Sequence, residues 1–261
     1  MTDHKLQALP LPKPVYPVAL ITGASRGIGK AIAEHLSRWA PRPCGRAAEC
    51  YSLALSSQNE DRLYAAAESL KNSWRSRSSA KIISYPGDLS DPDEAKRLID
   101  LVIADYGRLD VLINNAALYE RATIDEVDIA SWDKELNVNL RAAIHLCHFA
   151  APHLKKTKGT IINIGSVAAH RSYKGGSNYC ASKWGLLGFT NSLFHDLRDE
   201  DIKVSCINPG YVNTDMNADK PLDHHKLIQP RDIARTVQYI IDFPRNSCPV
   251  EITIQPQRNP V

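Results

Sequence analysis

The chain has 261 residues, 43% hydrophobic and 23% charged, an ordinary globular composition with enough length for one large domain or two small ones. A net charge of +3 requires neither nucleic acid nor a membrane surface, and no apolar run is long enough for a transmembrane helix or a signal-peptide core. The six cysteines (44, 50, 147, 180, 206 and 248) form no CxxC pair, which speaks against a disulfide framework or zinc knuckle and for free thiols in the reducing cytoplasm.

Residues 1–17 hold four prolines without periodicity and read as a flexible tail; 18–261 read as one domain, since no Pro/Ser/Gly-rich linker follows. Short apolar runs at 18–22, 51–56, 81–85, 111–114, 160–164, 203–208 and 251–255 alternate with helical patterns at 27–39, 60–73, 91–106, 131–156, 177–198 and 231–242. Strands alternating with helices imply an α/β fold: a doubly wound, Rossmann-like parallel sheet of seven strands, covered by helices on both sides. Ile28, Ile32, Leu36 and Trp39 give the first helix one apolar face, and Ser90 with Asp93 suggests a start box for the third. The stretches 41–49 and 72–80 read as solvated loops.

After the first strand comes TGASRGIG, residues 22–29. A turn with Gly23, Gly27 and Gly29 lets backbone N–H groups, including those near Ser25 and Ile28, approach a pyrophosphate at a helix N-terminus. Arg26 inside the turn suits the 2′-phosphate of NADP. The end of the second strand, where NAD-binding proteins tend to carry an acid, holds Ser56 and Ser57; the first carboxylates, Glu60 and Asp61, fall in the next helix. A carboxylate would repel a 2′-phosphate and hydroxyls would not, so NADP(H) is expected rather than NAD(H).

Further on, Tyr179 and Lys183 stand four residues apart in a helical pattern and so share one face. An ammonium beside a phenol lowers the phenol's pKa from near 10 toward the range where it exchanges a proton with an alcohol or carbonyl. Ser166, after the fifth strand, could hydrogen-bond the reacting oxygen.

These motifs, with Asn114-Asn115-Ala116-Ala117, Asn139 within NVNL, and Asn208-Pro209-Gly210, occur in the order and spacing of the short-chain dehydrogenase/reductase family, which the chain resembles over roughly 18–255. The resemblance implies that Tyr179 is the general acid/base, that Lys183 lowers its pKa and bonds the nicotinamide ribose, and that Ser166 polarises the substrate oxygen. It implies that Asn139 holds a water on a proton-relay path, that Asp88 and Leu89 contact adenine, and that Asn115 borders the cofactor ribose. Val212 and Thr214 would receive the nicotinamide carboxamide. Outside this order, Asp88 reads equally as a helix-start residue and Asn139 as an ordinary helix asparagine. The resemblance also implies a homodimer or homotetramer.

The expected function is NADP(H)-dependent hydride transfer on a small carbonyl or alcohol substrate. One alternative is a 3-oxoacyl-[acyl-carrier-protein] reductase-like enzyme, for which Lys155, Lys156 and Lys158 offer a basic docking face and Asp199, Glu200 and Asp201 the wrong sign. Another is a non-catalytic NADP-binding sensor or scaffold, against which Ser166, Tyr179 and Lys183 all stand. RNA binding through Lys71, Arg75, Arg77 and Lys81 lacks aromatics beyond Trp74. Departures from the family pattern are Ala117 where glycine is frequent, a short polar lid at 215–229, and no Gly-Gly after the last strand. No metal site is expected: His145, Cys147 and His148 read as an interface helix. His224 and His225 read as solvated, Cys180 as turned away from Tyr179, and His170 and Tyr173 as candidates for the pocket wall.

Overall fold

Alternate side chains of a strand point to opposite faces, and in Val18–Thr22 (β1) both sets are apolar. Ala19 and Ile21 enter one core, while Val18 and Leu20 enter another. The same division recurs in Ser52–Ser57 (β2), Val111–Asn114 (β4) and Thr160–Ile164 (β5), where Leu53, Val111 and Ile162 lie in the first core and Ala54, Leu112 and Ile161 in the second. A strand apolar on both faces belongs in the middle of a covered sheet. The structure, a computed structural model describing residues 16–38, 50–73 and 80–261, places them there. With Ile82–Pro86 (β3), Lys203–Pro209 (β6) and Glu251–Ile254 (β7) they form one seven-stranded sheet, every pairing parallel, in the order β3-β2-β1-β4-β5-β6-β7.

Helices fill the crossovers. Gly27–Leu36 (α1), Glu60–Ser73 (α2) and Pro230–Asp242 (α7) close the first core through Ile32, Leu63 and Val237; Glu94–Tyr106 (α3), Ala142–Thr157 (α5) and Ser177–Leu197 (α6) close the second through Leu98, Leu146 and Leu197. Burying a leucine of this kind contributes about 1.5–3 kcal/mol. The chain runs outward from β1 to β3 and returns at β4, on the other side of β1. Loops leaving the carboxyl ends of β1 and β4 therefore diverge and leave a crevice, the usual ligand position in such sheets.

Two local expectations are corrected. The helix expected over 131–156 is Ile129–Leu136 (α4), a π turn at Asn137–Arg141, and α5. Buried Asn139 sits in that turn, and its side chain binds the loop after β4 and a neighbouring helix. The Ser90–Asp93 start box does not form, because Asp88 Oδ1 accepts both the Ser90 N–H and hydroxyl, and α3 begins at Glu94 without a side-chain cap. The expected tail over 1–15, Trp39, the connection 41–49 and the residues 74–79 lie outside the described residues.

Candidate active site

At the carboxyl end of β1 the turn is folded against itself. Gly23 and Gly27 have φ of +64° and +54°, where a side chain would be strained. A Cβ on Gly29 would stand 2.3 Å from the Gly23 carbonyl oxygen and 2.6 Å from Asn115 Nδ2. Asn115 explains that crowding: its Nδ2 donates to the Thr22 and Gly23 carbonyls at 2.8 and 3.2 Å, and the Thr22 hydroxyl accepts from the Asn115 and Ala116 N–H groups. The end of β4 thereby holds the turn. The N-terminus of α1 has no side-chain cap, and Gly27 and Ile28 line the cleft, so the helix presents unsatisfied N–H groups there.

The cleft holds about 740 Å³. Along one arm it is lined by Gly23, Ser25, Arg26, Ser57, Asp88, Leu89 and Asn115. Ser25 and Ser57 share a 2.9 Å hydrogen bond, and Arg26 pairs with Asp215 at 2.9 Å, both side chains largely in solvent. Burial raises the Asp88 carboxyl, but donation from Ser90 and the Lys134 ammonium outweighs it and holds Asp88 below its usual value. Ser56 does not reach the cleft: it is fully buried inside β2. Gly29 and Asn139 likewise lie behind the lining and act on its shape.

At the centre of the cleft, the end of β5 delivers Ser166 and α6 delivers Tyr179 and Lys183. Ser166 follows β5, its N–H bonded to Asn208 Oδ1 at 3.2 Å while Asn208 Nδ2 donates to Glu251. Lys183, 2% exposed, donates to the Ile164 carbonyl at 2.9 Å, and its Nζ lies 5.7 Å from the Tyr179 ring centroid. Asn139 Oδ1 accepts from Leu118 N at 2.7 Å, and its Nδ2 donates to the Leu118 carbonyl and to the Ser182 hydroxyl; that hydroxyl donates to the Tyr179 carbonyl. Asn139 thus ties the loop after β4 to the helix that carries Tyr179.

The electrostatics differ from the expectation of a phenol lowered by its neighbour. Burial pushes Tyr179 up to about 12, with Ser166 pulling the other way and Glu135 and Tyr119 adding to the rise. Burial also brings Lys183 down to about 8. The ammonium is held by a carbonyl rather than by the phenol, so desolvation governs both groups.

Val212 and Thr214 also line the cleft, at the start of the lid. Val212 bridges Ile228, which fastens the two ends of that lid together. Thr214 stands over the glycine turn, its Cγ2 3.3 Å from where a Gly27 Cβ would be. Tyr173 is in the wall; His170 is not, because Glu251 holds it. His224 is tied to Asn213. Ala117 does not have a positive φ, so glycine is not needed there. Cys180 is buried and bonds the Arg171 carbonyl, and Cys147 is buried beneath Asn114. Arg62, Tyr119, Arg121, Tyr211 and Lys220 line the cleft without having been marked by motif. For Arg62 the signal in the sequence is a cation in the first turn of α2, just past β2.

Among the described residues no helix is long and apolar enough to cross a membrane. The short chain dehydrogenase family model matches residues 17–225. An uncharacterised oxidoreductase of Staphylococcus epidermidis is 30% identical over 240 residues, covering 92% of this chain and 96% of that one. A 3-oxoacyl-[acyl-carrier-protein] reductase of Thermotoga maritima is 32% identical over 205 residues, 78% of this chain and 77% of the other. Among solved structures, a metagenomic short-chain oxidoreductase in complex with NADP superposes with a TM-score of 0.77 at 30% identity, covering 93% of this chain and 98% of its own. With the parallel sheet, the glycine turn and the Ser166, Tyr179 and Lys183 cluster in the order the family requires, the chain belongs to the short-chain dehydrogenase family.

Proposed function

We propose that this protein is an NADP(H)-dependent oxidoreductase interconverting a carbonyl and an alcohol on a small organic substrate. The observation that carries the proposal is the meeting of Ser166, Tyr179 and Lys183 in the same cleft that begins at the glycine turn. The residues present fit a dinucleotide. The crowded glycines and the uncapped α1 N-terminus suit a pyrophosphate. Arg26 and Arg62, beside hydroxyl-bearing Ser25 and Ser57, suit a 2′-phosphate, and a relative of the same fold is bound to NADP. Asp88 and Leu89 would hold the adenine, Asn115 would border the ribose, and Val212 and Thr214 would receive the carboxamide.

When bound, the nicotinamide supplies or accepts the hydride. The protein's own residues manage the oxygen. In reduction the Ser166 and Tyr179 hydroxyls hold the substrate carbonyl oxygen, and Tyr179 gives it a proton as negative charge develops. Its high pKa keeps the phenol protonated at neutral pH, the state reduction needs. In oxidation Tyr179 must first lose its proton, a loss that Lys183 favours while its amine is charged, and the phenolate then takes the alcohol proton. Asn139 and Ser182 hold the Tyr179 helix turn in place.

A reductase for carrier-bound 3-oxoacyl groups is the second reading, favoured by the similarity to the Thermotoga maritima enzyme. Two of the three lysines that would dock an acidic carrier are paired within the chain: Lys155 with Glu200 at 2.8 Å and Lys158 with Asp201 at 2.5 Å. That leaves the free small molecule as the better reading. A cytoplasmic homodimer or homotetramer completes the proposal.

The test is Tyr179→Phe assayed for NADPH oxidation across a carbonyl panel. Removing the proton donor is expected to cost about 10²- to 10⁴-fold in rate, with NADPH binding, followed by fluorescence, nearly intact. Retained turnover would overturn the assignment.

A further inference from the structure

Resting on that reading, we propose that the substrate end of the cleft is an anion subsite, in which Lys220 and Arg121 select carbonyl substrates that carry a carboxylate.

Lys220 lies in the lid, half-buried, and its ammonium is held from three sides. It stands 4.6 Å from the Tyr119 ring centroid and 5.5 Å from that of Tyr211, and it donates to Asn217 Oδ1 at 2.8 Å. Asn217 is itself buried and anchored through Nδ2 to the Val212 carbonyl, so this cation has a fixed seat rather than a solvated arm. The Tyr119 ring meets the Tyr179 ring edge-on at 5.0 Å. Lys220 is therefore linked to the reacting phenol through one intervening ring, Tyr119. Arg121 reaches the same cleft from the rim, its stem packed over Gly175.

Charge balance supplies the second argument. The carboxylates lining the cleft are Asp88 and Asp215, and both are engaged elsewhere: Asp88 with Ser90, Gln58 and Lys134, Asp215 with Arg26. Among the described residues neither Lys220 nor Arg121 meets a carboxylate within ion-pair distance. Burial and the nearby Arg121 both lower the Lys220 pKa, the response of two cations sharing a partly desolvated place. A substrate carboxylate would relieve that repulsion and gain charge-assisted hydrogen bonds. The aromatic faces of Tyr119 and Tyr211 would flank its carbon skeleton.

The experiment compares 4-formylbenzoate with its methyl ester as substrates of the NADPH-loaded enzyme. The wild-type protein is expected to favour the acid, and Lys220→Met or Arg121→Met to lower the acid-to-ester ratio of kcat/KM about ten-fold or more, the worth of one charge-assisted contact. A Lys220 that only latches the lid would slow both substrates alike; an unmoved ratio overturns the proposal. Calorimetric titration of the same holoprotein with benzoate and benzamide decides the subsite without turnover. Tighter binding of benzoate, lost in Lys220→Met, supports it; equal binding of the two overturns it. Failure of the redox reading would instead appear as no turnover of either aldehyde, whatever the titration gives.

Discussion

Tyr179, Lys183 and Glu135 share one desolvated region, and the third of these carries no family motif. Glu135 is 1% exposed, its Oε2 accepts weakly from the Glu120 N–H, and its Oε1 has no hydrogen-bond partner among the described residues. Burial raises its carboxyl pKa, against the pull of the Glu120 backbone, Asn178 and Lys183. A folded-state value above the unfolded one means the native state holds the proton more tightly, so stability falls as pH rises between the two. Gln cannot titrate. Glu135→Gln is therefore expected to gain melting temperature relative to the natural chain as pH climbs from the acid side to neutrality, and to lose that advantage below the usual carboxylate range. A difference that does not vary with pH would show that Glu135 titrates normally. The placement of Tyr179 and Lys183 on one helix face was legible from their spacing. The sign of the phenol's shift was not, because it depends on how much water the fold removes from that face.

Among the elements, the β1-to-α1 turn was the most legible part of the site, since the glycine pattern is local and its conformational demand is local too. The reason for Gly29 was less so. It faces the Gly23 carbonyl and the Asn115 amide, and the latter arrives from β4. Gly29→Ala must push the Gly23 backbone and the Asn115 side chain aside, an overpacking that costs about 1–3 kcal/mol. A melting temperature lower by several degrees is expected, together with weaker NADPH binding in a fluorescence titration; unchanged values for both would mean that the turn yields freely. The break between α4 and α5 was hidden because apolar periodicity continues across 131–156, while the contacts made at the break, Asn139 with Leu118 and Ser182, are tertiary.

Across the whole molecule, the sheet order brings the segment after β6 over the segment after β1. Arg26 and Asp215 meet there although 189 positions separate them. Both are exposed, so the pair is weak and Arg26 can turn to another anion at small cost. Arg26→Ala is expected to weaken NADPH about ten-fold, the scale of one charge-assisted contact, and NADH much less; equal losses in paired titrations would remove the argument for the 2′-phosphate. The sequence by itself determined the seven-stranded parallel sheet, the glycine turn and the Ser166, Tyr179 and Lys183 set, because strand and helix periods and short spacings are properties of neighbouring residues. Only the tertiary structure decided that Ser56 is buried out of reach, that Glu200 and Asp201 neutralise Lys155 and Lys158, and that Lys220 stands beside Tyr119. Burial and pairing depend on which distant segments the fold brings into contact, and that information is spread over the whole chain.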